Sequence, residues 1–237
     1  MRVPVTTPYW EDVTVSRVNT LAPRDELIPF ATREAAEKWA DLEAEREESP
    51  YVLSLNGEWD FEWKARPDTN ETKSAKIAVP GCWRLQGEYD PPLYTNYNYP
   101  HVNNPPHIME APPTNFTQYV YRNPVGIYRR KFEVPKAWEG RRIVLRFNGV
   151  ASAFFVRVNG QEVGYAEDSR LPSEFDVTEC LAQRRRGAED EIEVEVYRWC
   201  DGSYLDAATP SLHVGIARAL GLCYNCGKQS RKKGLPT

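Results

Sequence analysis

The chain has 237 residues, of which 41% are hydrophobic, and it carries 30 lysines and arginines against 34 aspartates and glutamates. This length is sufficient for one large domain or two small ones with a buried core. The formal net charge of −4 gives no basic surface of the kind that binds nucleic acid or an anionic membrane, so neither partner is expected.

The cysteines and the N-terminus indicate the compartment. The five cysteines are irregularly spaced, and the first residues, MRVPVTTPYWEDV, have no apolar stretch typical of a signal peptide. No window approaches the roughly 18 apolar residues of a membrane-spanning helix. We therefore predict reduced cysteines and a cytoplasmic location. Cys223 and Cys226 form a lone C-x-x-C without a second pair at zinc spacing, so no metal site is predicted there.

Residues 1–50 are predicted to form an N-terminal arm and a helix. Residues 1–30 are irregular and rich in proline, which indicates an extended segment lying on another surface. The next stretch, ATREAAEKWADLEAEREES, is predicted to be a helix that Thr32 caps and Pro50 ends. Its apolar side is thin, so the helix is expected to pack on the outside of the domain.

The following residues alternate between apolar and charged side chains, the pattern of β-strands with one buried face. Strands are predicted in EWDFEW, YRRKFEV, RRIVLRFNGV, AFFVRVNGQEVGY and EIEVEVYRW. Asn159-Gly160 is predicted to form a two-residue hairpin turn. Five strands with a single helix indicate an antiparallel β-sandwich or barrel. The side chains predicted to be buried are those of Trp59, Phe61, Ile143, Leu145, Phe147, Phe154, Val156, Val158, Ile192, Val194 and Val196, whereas Glu191, Glu193 and Glu195 are predicted to face water.

Residues 84–125 interrupt this pattern with a long segment rich in proline, asparagine and tyrosine. Loops of this length in a compact domain are usually functional or disordered, and the aromatic content argues against disorder. At its centre, PPLYTNYNYP (91–100) alternates Tyr and Asn. Rings and amides of this kind can bind sugars, but they can equally plug the end of a sandwich and satisfy loop backbone. The residues leave both interpretations open.

No residue pattern identifies a catalytic centre, so no catalytic residue is predicted. The three histidines are accompanied by no G-x-S-x-G elbow, and neither GxGxxG nor a P-loop is present. The 34 acidic residues lie mostly on alternating strands and helix faces, where exposure to solvent explains them. Trp83 and Trp199 are predicted to belong to the core or to a pocket wall.

Six segments, in this order, resemble the N-terminal sugar-binding domain of large β-galactosidases of glycoside hydrolase family 2, over roughly residues 9–206. They are SLNGEWDFEW (54–63), VPGCWRLQG (79–87), PPLYTNYNYP (91–100), NPVGIYRRKFEVP (123–135), FNGVASAFFVRVNGQEVGYAEDSRLPSEFDVT (147–178) and RWCDGSYLD (198–206). The resemblance implies a jelly-roll β-sandwich, similar to galactose-binding modules, at residues 51–206. Residues 207–237 differ in composition and are predicted to be a disordered tail outside the family domain.

The resemblance also implies an activity. Family members hydrolyse terminal β-D-galactose residues with retention, using two glutamates of a TIM barrel, and such a carboxyl pair stands about 5–5.5 Å apart. A TIM barrel needs about 250 residues, which the residues after 206 cannot supply. The chain is therefore expected to be a truncated module that does not hydrolyse glycosides alone, and the catalytic domains of the same enzyme are its expected partners.

The resemblance places Asn96 in the galactose pocket, with Tyr97 beside it. The family's sugar-contacting aspartate has no match here, although Asp206 stands where the family's acidic run begins. The family uses magnesium and a monovalent cation with ligands mostly in the barrel, so no cofactor is expected in this chain. The expected ligand is galactose or a β-galactoside. The alternatives are a free-standing carbohydrate-binding module, using Asn96 and the tyrosines Tyr94, Tyr97 and Tyr99, or a domain-interaction module without catalysis.

Overall fold

The computed structural model describes residues 7–25, 28–38, 49–91, 99–114, 120–168, 171–182 and 189–205, and the backbone alone of 215–216 and 219–224. The helices are α1 (Arg33–Lys38) and α2 (Thr178–Ala182). The strands are β1 (Arg17–Val18), β2 (Val52–Ser54), β3 (Gly57–Lys64), β4 (Lys73–Val79), β5 (Val125–Phe132), β6 (Arg142–Phe147), β7 (Val150–Ala151), β8 (Ala153–Val158), β9 (Gln161–Glu167), β10 (Ser173–Asp176), β11 (Asp190–Tyr197), β12 (Gly215–Ile216) and β13 (Ala219–Tyr224).

The strands form a jelly-roll sandwich of two main antiparallel sheets. One sheet has seven strands in the order β1-β9-β8-β11-β5-β3-β4, and the other has four in the order β10-β6-β13-β2. Side chains from both sheets share one apolar cluster, which contains Trp59 and Val156 from the first sheet and Leu145 and Phe175 from the second. This arrangement confirms the predicted sandwich.

The buried positions predicted from the sequence are confirmed, but β6 does not alternate, because Val144 and Arg146 are buried as well. All of the side chains predicted to be buried are at most 8% exposed. The hairpin turn between β8 and β9 is also confirmed, because Asn159 and Gly160 have φ angles of 53° and 76°. Positive φ at both central residues is the geometry that matches the twist of the two strands.

The glutamates of β11 differ from the prediction that they simply face water. Glu193 accepts hydrogen bonds from Arg129 Nε at 2.7 Å and Arg157 Nη1 at 2.8 Å. Arg157 Nη1 also lies 2.8 Å from Glu195, and Arg129 Nη1 lies 2.9 Å from Glu62. The side chains of Glu193 and Glu195 are only 23% and 20% exposed. Cross-strand ion pairs therefore cover the outer face of this sheet.

The N-terminal arm lies on the domain itself. Trp10 stacks on Tyr197 with ring centroids 4.1 Å apart, and Tyr9 stacks on Phe155 at 5.8 Å. Farther along, β1 pairs with β9, and Leu21 N donates to Glu174 O at 2.8 Å. The arm thus covers part of the outer sheet face and one edge of each sheet, which limits unwanted strand pairing.

Two helical segments flank the sandwich. α1 begins where predicted, and Thr32 Oγ1 accepts a hydrogen bond from Ala35 N at 3.2 Å. The rest of the predicted helix, residues 39–48, lies outside the described residues. α2 was not expected, because five residues are too few to show helical periodicity. No helix in the described part of the chain has the length and apolarity needed to cross a membrane.

The predicted tail contributes strands. The backbone of β13 pairs with β6 on one side and β2 on the other, and β12 pairs with β7. The expectation of disorder from residue 207 onwards therefore differs from the structure at these two stretches. The physical reason is that sheet pairing can order a strand whose sequence shows no clear alternation. The domain boundary at residue 206 itself stays a prediction.

Candidate functional site

The residues predicted to contact sugar lie mostly outside the described structure. Asn96, Tyr97 and Tyr94 fall in the stretch 92–98, and Asp206 falls in 206–214. Tyr99 is described and is half-buried. The functional site is therefore built from the residues that flank these stretches.

The described residue Asp90, shortly before the predicted sugar-contacting stretch, is held by buried side chains. Its Oδ1 accepts a hydrogen bond from Trp83 Nε1 at 2.6 Å, and its other oxygen forms an ion pair with Arg198. Trp83 is fully buried against β5, where a Cβ at Gly126 would lie 2.6 Å from its Cζ3. Trp83 is thus a core residue, and it fixes one carboxyl oxygen of Asp90.

Tyr99, on the other side of that stretch, is anchored to the turn that follows β11. Tyr99 Oη donates to Tyr204 O at 2.8 Å. The Tyr204 hydroxyl lies 2.6 Å from Val102 O and 2.7 Å from His107 O, both within donating distance. Residues 99–107 are therefore tied to the short 3₁₀ turn Asp201–Tyr204.

His101 is buried in this aromatic group. Its ring stacks on Tyr99 at 5.2 Å and meets Trp199 edge-on at 5.4 Å, and it is 5% exposed. Burial lowers the pKa of His101 from 6.5 to about 4, against a weaker effect from the Val102 carbonyl. Trp199 is itself 8% exposed and packs on this buried histidine, so it belongs to the core.

This burial predicts a pH dependence of stability. Because the pKa of His101 is lower in the folded state, the unfolded state takes up a proton first as the pH falls. The folded domain therefore has its full unfolding free energy above about pH 6.5 and loses part of it as the pH falls toward 4. We expect His101→Phe to remove about 2–3 kcal/mol of the acid-induced loss in unfolding free energy between pH 7 and 4. Urea unfolding at several pH values measures this. An unchanged pH dependence of unfolding in His101→Phe would contradict the expected role of burial.

A cleft of about 880 Å³ opens beside the turn. The arm contributes to its wall with Val13 and Arg17, the loop with Tyr99 and Asn103, and the end of β9 with Glu167. The turn after β11 completes the wall. This volume is within the roughly 300–1,000 Å³ that is usual for ligand pockets.

Two carboxyl groups and a thiol meet in this cleft. One ligand atom each of Glu167, Cys200 and Asp201 lie within 4.8 Å of one another, and all three residues are buried. Burial raises the pKa of Glu167 to about 7 and also raises that of Asp201. The negative charge of Asp201 adds to the effect of burial on the pKa of Glu167.

The same group has the composition of a cation site. Asp201 Oδ2 is buried and has no hydrogen-bond partner among the described residues. Carboxylate oxygens suit hard cations such as Mg²⁺ or Ca²⁺, whereas burial raises the pKa of the Cys200 thiol and disfavours the thiolate. Glu167 and Asp201 are thus the residues that could hold a cation.

Sequence reasoning missed this pair, because no glutamate at a strand end stood out. Glu167 is the last residue of β9, where it lies opposite Ala153 on β8, which in turn lies opposite Tyr197 on β11. This register across three strands brings residue 167 beside residues 200 and 201. The Asn159-Gly160 turn fixes the β8–β9 pairing, but a bulge after Val156 shifts it, and the β8–β11 pairing is not local.

Comparison with known proteins confirms the family resemblance of the sequence. The model of the family "Glycosyl hydrolases family 2, sugar binding domain" matches residues 52–225. The match therefore includes β12 and β13, beyond the boundary predicted at residue 206.

Three curated relatives bear the name beta-galactosidase. That of Psychromonas ingrahamii is 36% identical over 83% of this chain, that of Priestia megaterium 42% over 76%, and that of Erwinia tasmaniensis 34% over 91%. The matched regions are 18%, 17% and 20% of those relatives. The chain thus spans about a fifth or less of the length of the relatives that it matches.

Proposed function

The chain belongs to glycosyl hydrolase family 2 through its sugar binding domain, and on that premise we propose that it supplies a sugar-contacting loop to the galactose pocket of a β-galactosidase. The observation that carries the proposal is the identity of 34–42% with three proteins of that name over most of this chain. Asn96 would bind a sugar hydroxyl through its amide, with Tyr97 beside it.

Catalysis would come from a separate barrel domain. Retaining hydrolysis needs two carboxyl groups about 5–5.5 Å apart on either side of the glycosidic bond. Glu167 and Asp201 do not suit this task, because each is only 9% exposed. The described residues therefore support binding of a sugar better than hydrolysis.

The proposal includes the remaining expectations from the sequence. Magnesium and the monovalent cation of catalysis would be bound mainly by the barrel, and the partners would be the β-galactoside and the catalytic domains. The chain would act in the cytoplasm, where thiols stay reduced.

Complementation tests the role of Asn96. The Priestia megaterium relative, deprived of the region that this chain matches, would be mixed with this chain and assayed on a chromogenic β-galactoside. Restored hydrolysis is expected, and Asn96→Ala should lower kcat/KM at least about fivefold, because one substrate hydrogen bond is lost.

The matched control is Asn70→Ala, at an exposed asparagine between β3 and β4, which should restore hydrolysis as well as the parent. If the Asn96→Ala chain restored hydrolysis as fully as the parent, Asn96 would have no role in binding the sugar. Binding of the two fragments without any hydrolysis would contradict the proposed complementarity of the domains.

A further inference from the structure

A single hydroxyl group holds the loop 99–107, which follows the predicted sugar-contacting stretch. The hydroxyl oxygen of Tyr204 lies 2.6 Å from Val102 O and 2.7 Å from His107 O, and it accepts a hydrogen bond from Asn104 N at 3.1 Å. A phenolic hydroxyl can donate one hydrogen bond and accept others. Burial raises the pKa of Tyr204, so the hydroxyl stays protonated and remains a donor. One side-chain oxygen thus serves backbone groups at three positions of the loop.

Tyr204 stands on a base that is itself fixed. It ends the 3₁₀ turn Asp201–Tyr204, which follows β11. Between β11 and the turn, Trp199 N donates to Asn123 Oδ1 at 2.8 Å, and Asn123 lies shortly before β5. The strands β11 and β5 are paired along their whole length. The turn that carries Tyr204 is therefore tied to the centre of the seven-stranded sheet.

The residues that follow the loop have a separate attachment. Glu11 Oε1, from the N-terminal arm, accepts hydrogen bonds from Ile108 N at 2.7 Å and Met109 N at 2.9 Å. The Glu11 side chain is only 11% exposed, so these bonds are shielded from water. Loss of the Tyr204 hydroxyl would therefore release the loop 99–107 without detaching residues 108–109 from the arm.

The residues on either side of the stretch 92–98 are both fixed to the segment after β11. Asp90 forms an ion pair with Arg198, whereas Tyr99 Oη donates to Tyr204 O at 2.8 Å. The rings of Tyr99 and Tyr204 also pack together, with centroids 5.2 Å apart. A loop with fixed ends has fewer conformations to lose when it binds a ligand.

We propose that Tyr204 is a positioning residue, whose hydroxyl fixes the loop 99–107 and thereby holds Asn96 in place for the β-galactoside. Asn96 lies only three residues before Tyr99 in the chain, so release of the loop would give its amide more conformations to lose on binding. Tyr204 acts through the loop and does not touch the sugar. The inference rests on the proposed function and deepens it by naming the residue that supports the sugar-contacting stretch.

Removal of the hydroxyl alone tests the attachment in the 237-residue chain. Tyr204→Phe keeps the ring that packs on Tyr99 and His101. The rate of chymotrypsin cleavage under native conditions tracks the fraction of chains in which the loop is open, provided that opening and closing are faster than cleavage. We expect cleavage after Tyr94 or Tyr97 to be at least about fivefold faster in Tyr204→Phe than in the parent, because the hydrogen bonds of one hydroxyl are lost.

The matched control is Tyr197→Phe. It also loses a hydroxyl hydrogen bond, which Tyr197 Oη donates to Glu195 Oε1 at 2.7 Å on β11, and it keeps the ring that stacks on Trp10. This variant should be cleaved within residues 91–100 at the parent's rate. Equal rates for Tyr204→Phe and the parent, whether slow or fast, would overturn the inference.

A double-mutant cycle tests the action through Asn96. In the complementation assay with saturating fragments, Tyr204→Phe should lower kcat/KM at least about threefold. It should have no further effect in a chain that already carries Asn96→Ala, because the group that it positions is then absent. A residue that served only the stability of the fold would lower kcat/KM by the same factor in both backgrounds, and that result would overturn the inference.

The outcomes also separate this inference from the proposed function. A loss of kcat/KM in Asn96→Ala but not in Tyr204→Phe would overturn the inference and leave the proposed function. Restored hydrolysis that Asn96→Ala leaves unchanged would overturn the proposed function, whatever the cleavage rates. If the fragments restored no hydrolysis, the cleavage rates would still decide whether the Tyr204 hydroxyl holds the stretch that contains Asn96.

Discussion

Replacing Leu145 with aspartate is expected to unfold the domain. Leu145 is 4% exposed in the core that the two sheets share. Its strand, β6, lies between β10 and β13, and Leu145 pairs with Phe175 on one side and Gly221 on the other. Truncation of a buried leucine alone costs about 2–5 kcal/mol. An unpaired buried charge adds several more, and a typical domain has only about 5–15 kcal/mol in total.

Circular dichroism and thermal melting measure this outcome. The control is Leu85→Asp, at a leucine that is 68% exposed, and it should melt within a few degrees of the parent. If Leu145→Asp kept a cooperative transition at the melting temperature of the parent, Leu145 would not lie in a core shared by the two sheets.

Ending the chain at residue 206 is expected to destabilise the domain by several kcal/mol. β13 lies between β6 and β2, and Gly221 pairs with Leu145 on one side and Leu53 on the other. Its removal would split the four-stranded sheet and leave the ladder groups of two strands without their partner. The matched control is a chain that ends at residue 225, the last residue of the family match, and retains β13.

Urea unfolding of the two shortened chains distinguishes a tail that lies outside the domain from one that contributes β13 to the four-stranded sheet. We expect the chain of residues 1–225 to unfold near the parent's midpoint and that of residues 1–206 to unfold at much lower urea, if it folds at all. Equal midpoints and slopes would support a tail that lies outside the domain, as its composition suggests.

The sandwich could be predicted because its signals are local. In β3, Trp59, Phe61 and Trp63 alternate with charged residues, and that period of two specifies both the strand and its buried face. The Asn159-Gly160 pair likewise specifies its own turn, since both residues tolerate positive φ. Neither inference requires knowledge of the strand order.

The remaining features depend on long-range packing. The irregular arm indicated a segment lying on a surface, but only the folded sheet shows that Trp10 lies on Tyr197. Glu167 and Asp201 are separated along the chain by the 33 residues 168–200, and they meet through pairing across three strands. A sequence read one strand at a time cannot reveal that pair.

The galactose-pocket loop could be predicted only from the family resemblance. Alternating tyrosine and asparagine is compatible with a sugar site and equally with a loop that plugs the sandwich. Asn96 and Tyr97 lie outside the described residues, so their roles stay predictions. The described neighbours Asp90 and Tyr99 are both fixed to the segment that follows β11.

The most direct test of the proposed function is hydrolysis of a chromogenic β-galactoside by the purified 237-residue chain at high protein concentration. We predict no hydrolysis above the buffer rate, because a sugar-contacting module needs the carboxyl pair of another domain. Hydrolysis that survives repurification and is lost in Asn96→Ala would contradict this prediction. If Glu167→Gln also abolished that activity, the carboxyl pair of the cleft would be the catalytic group.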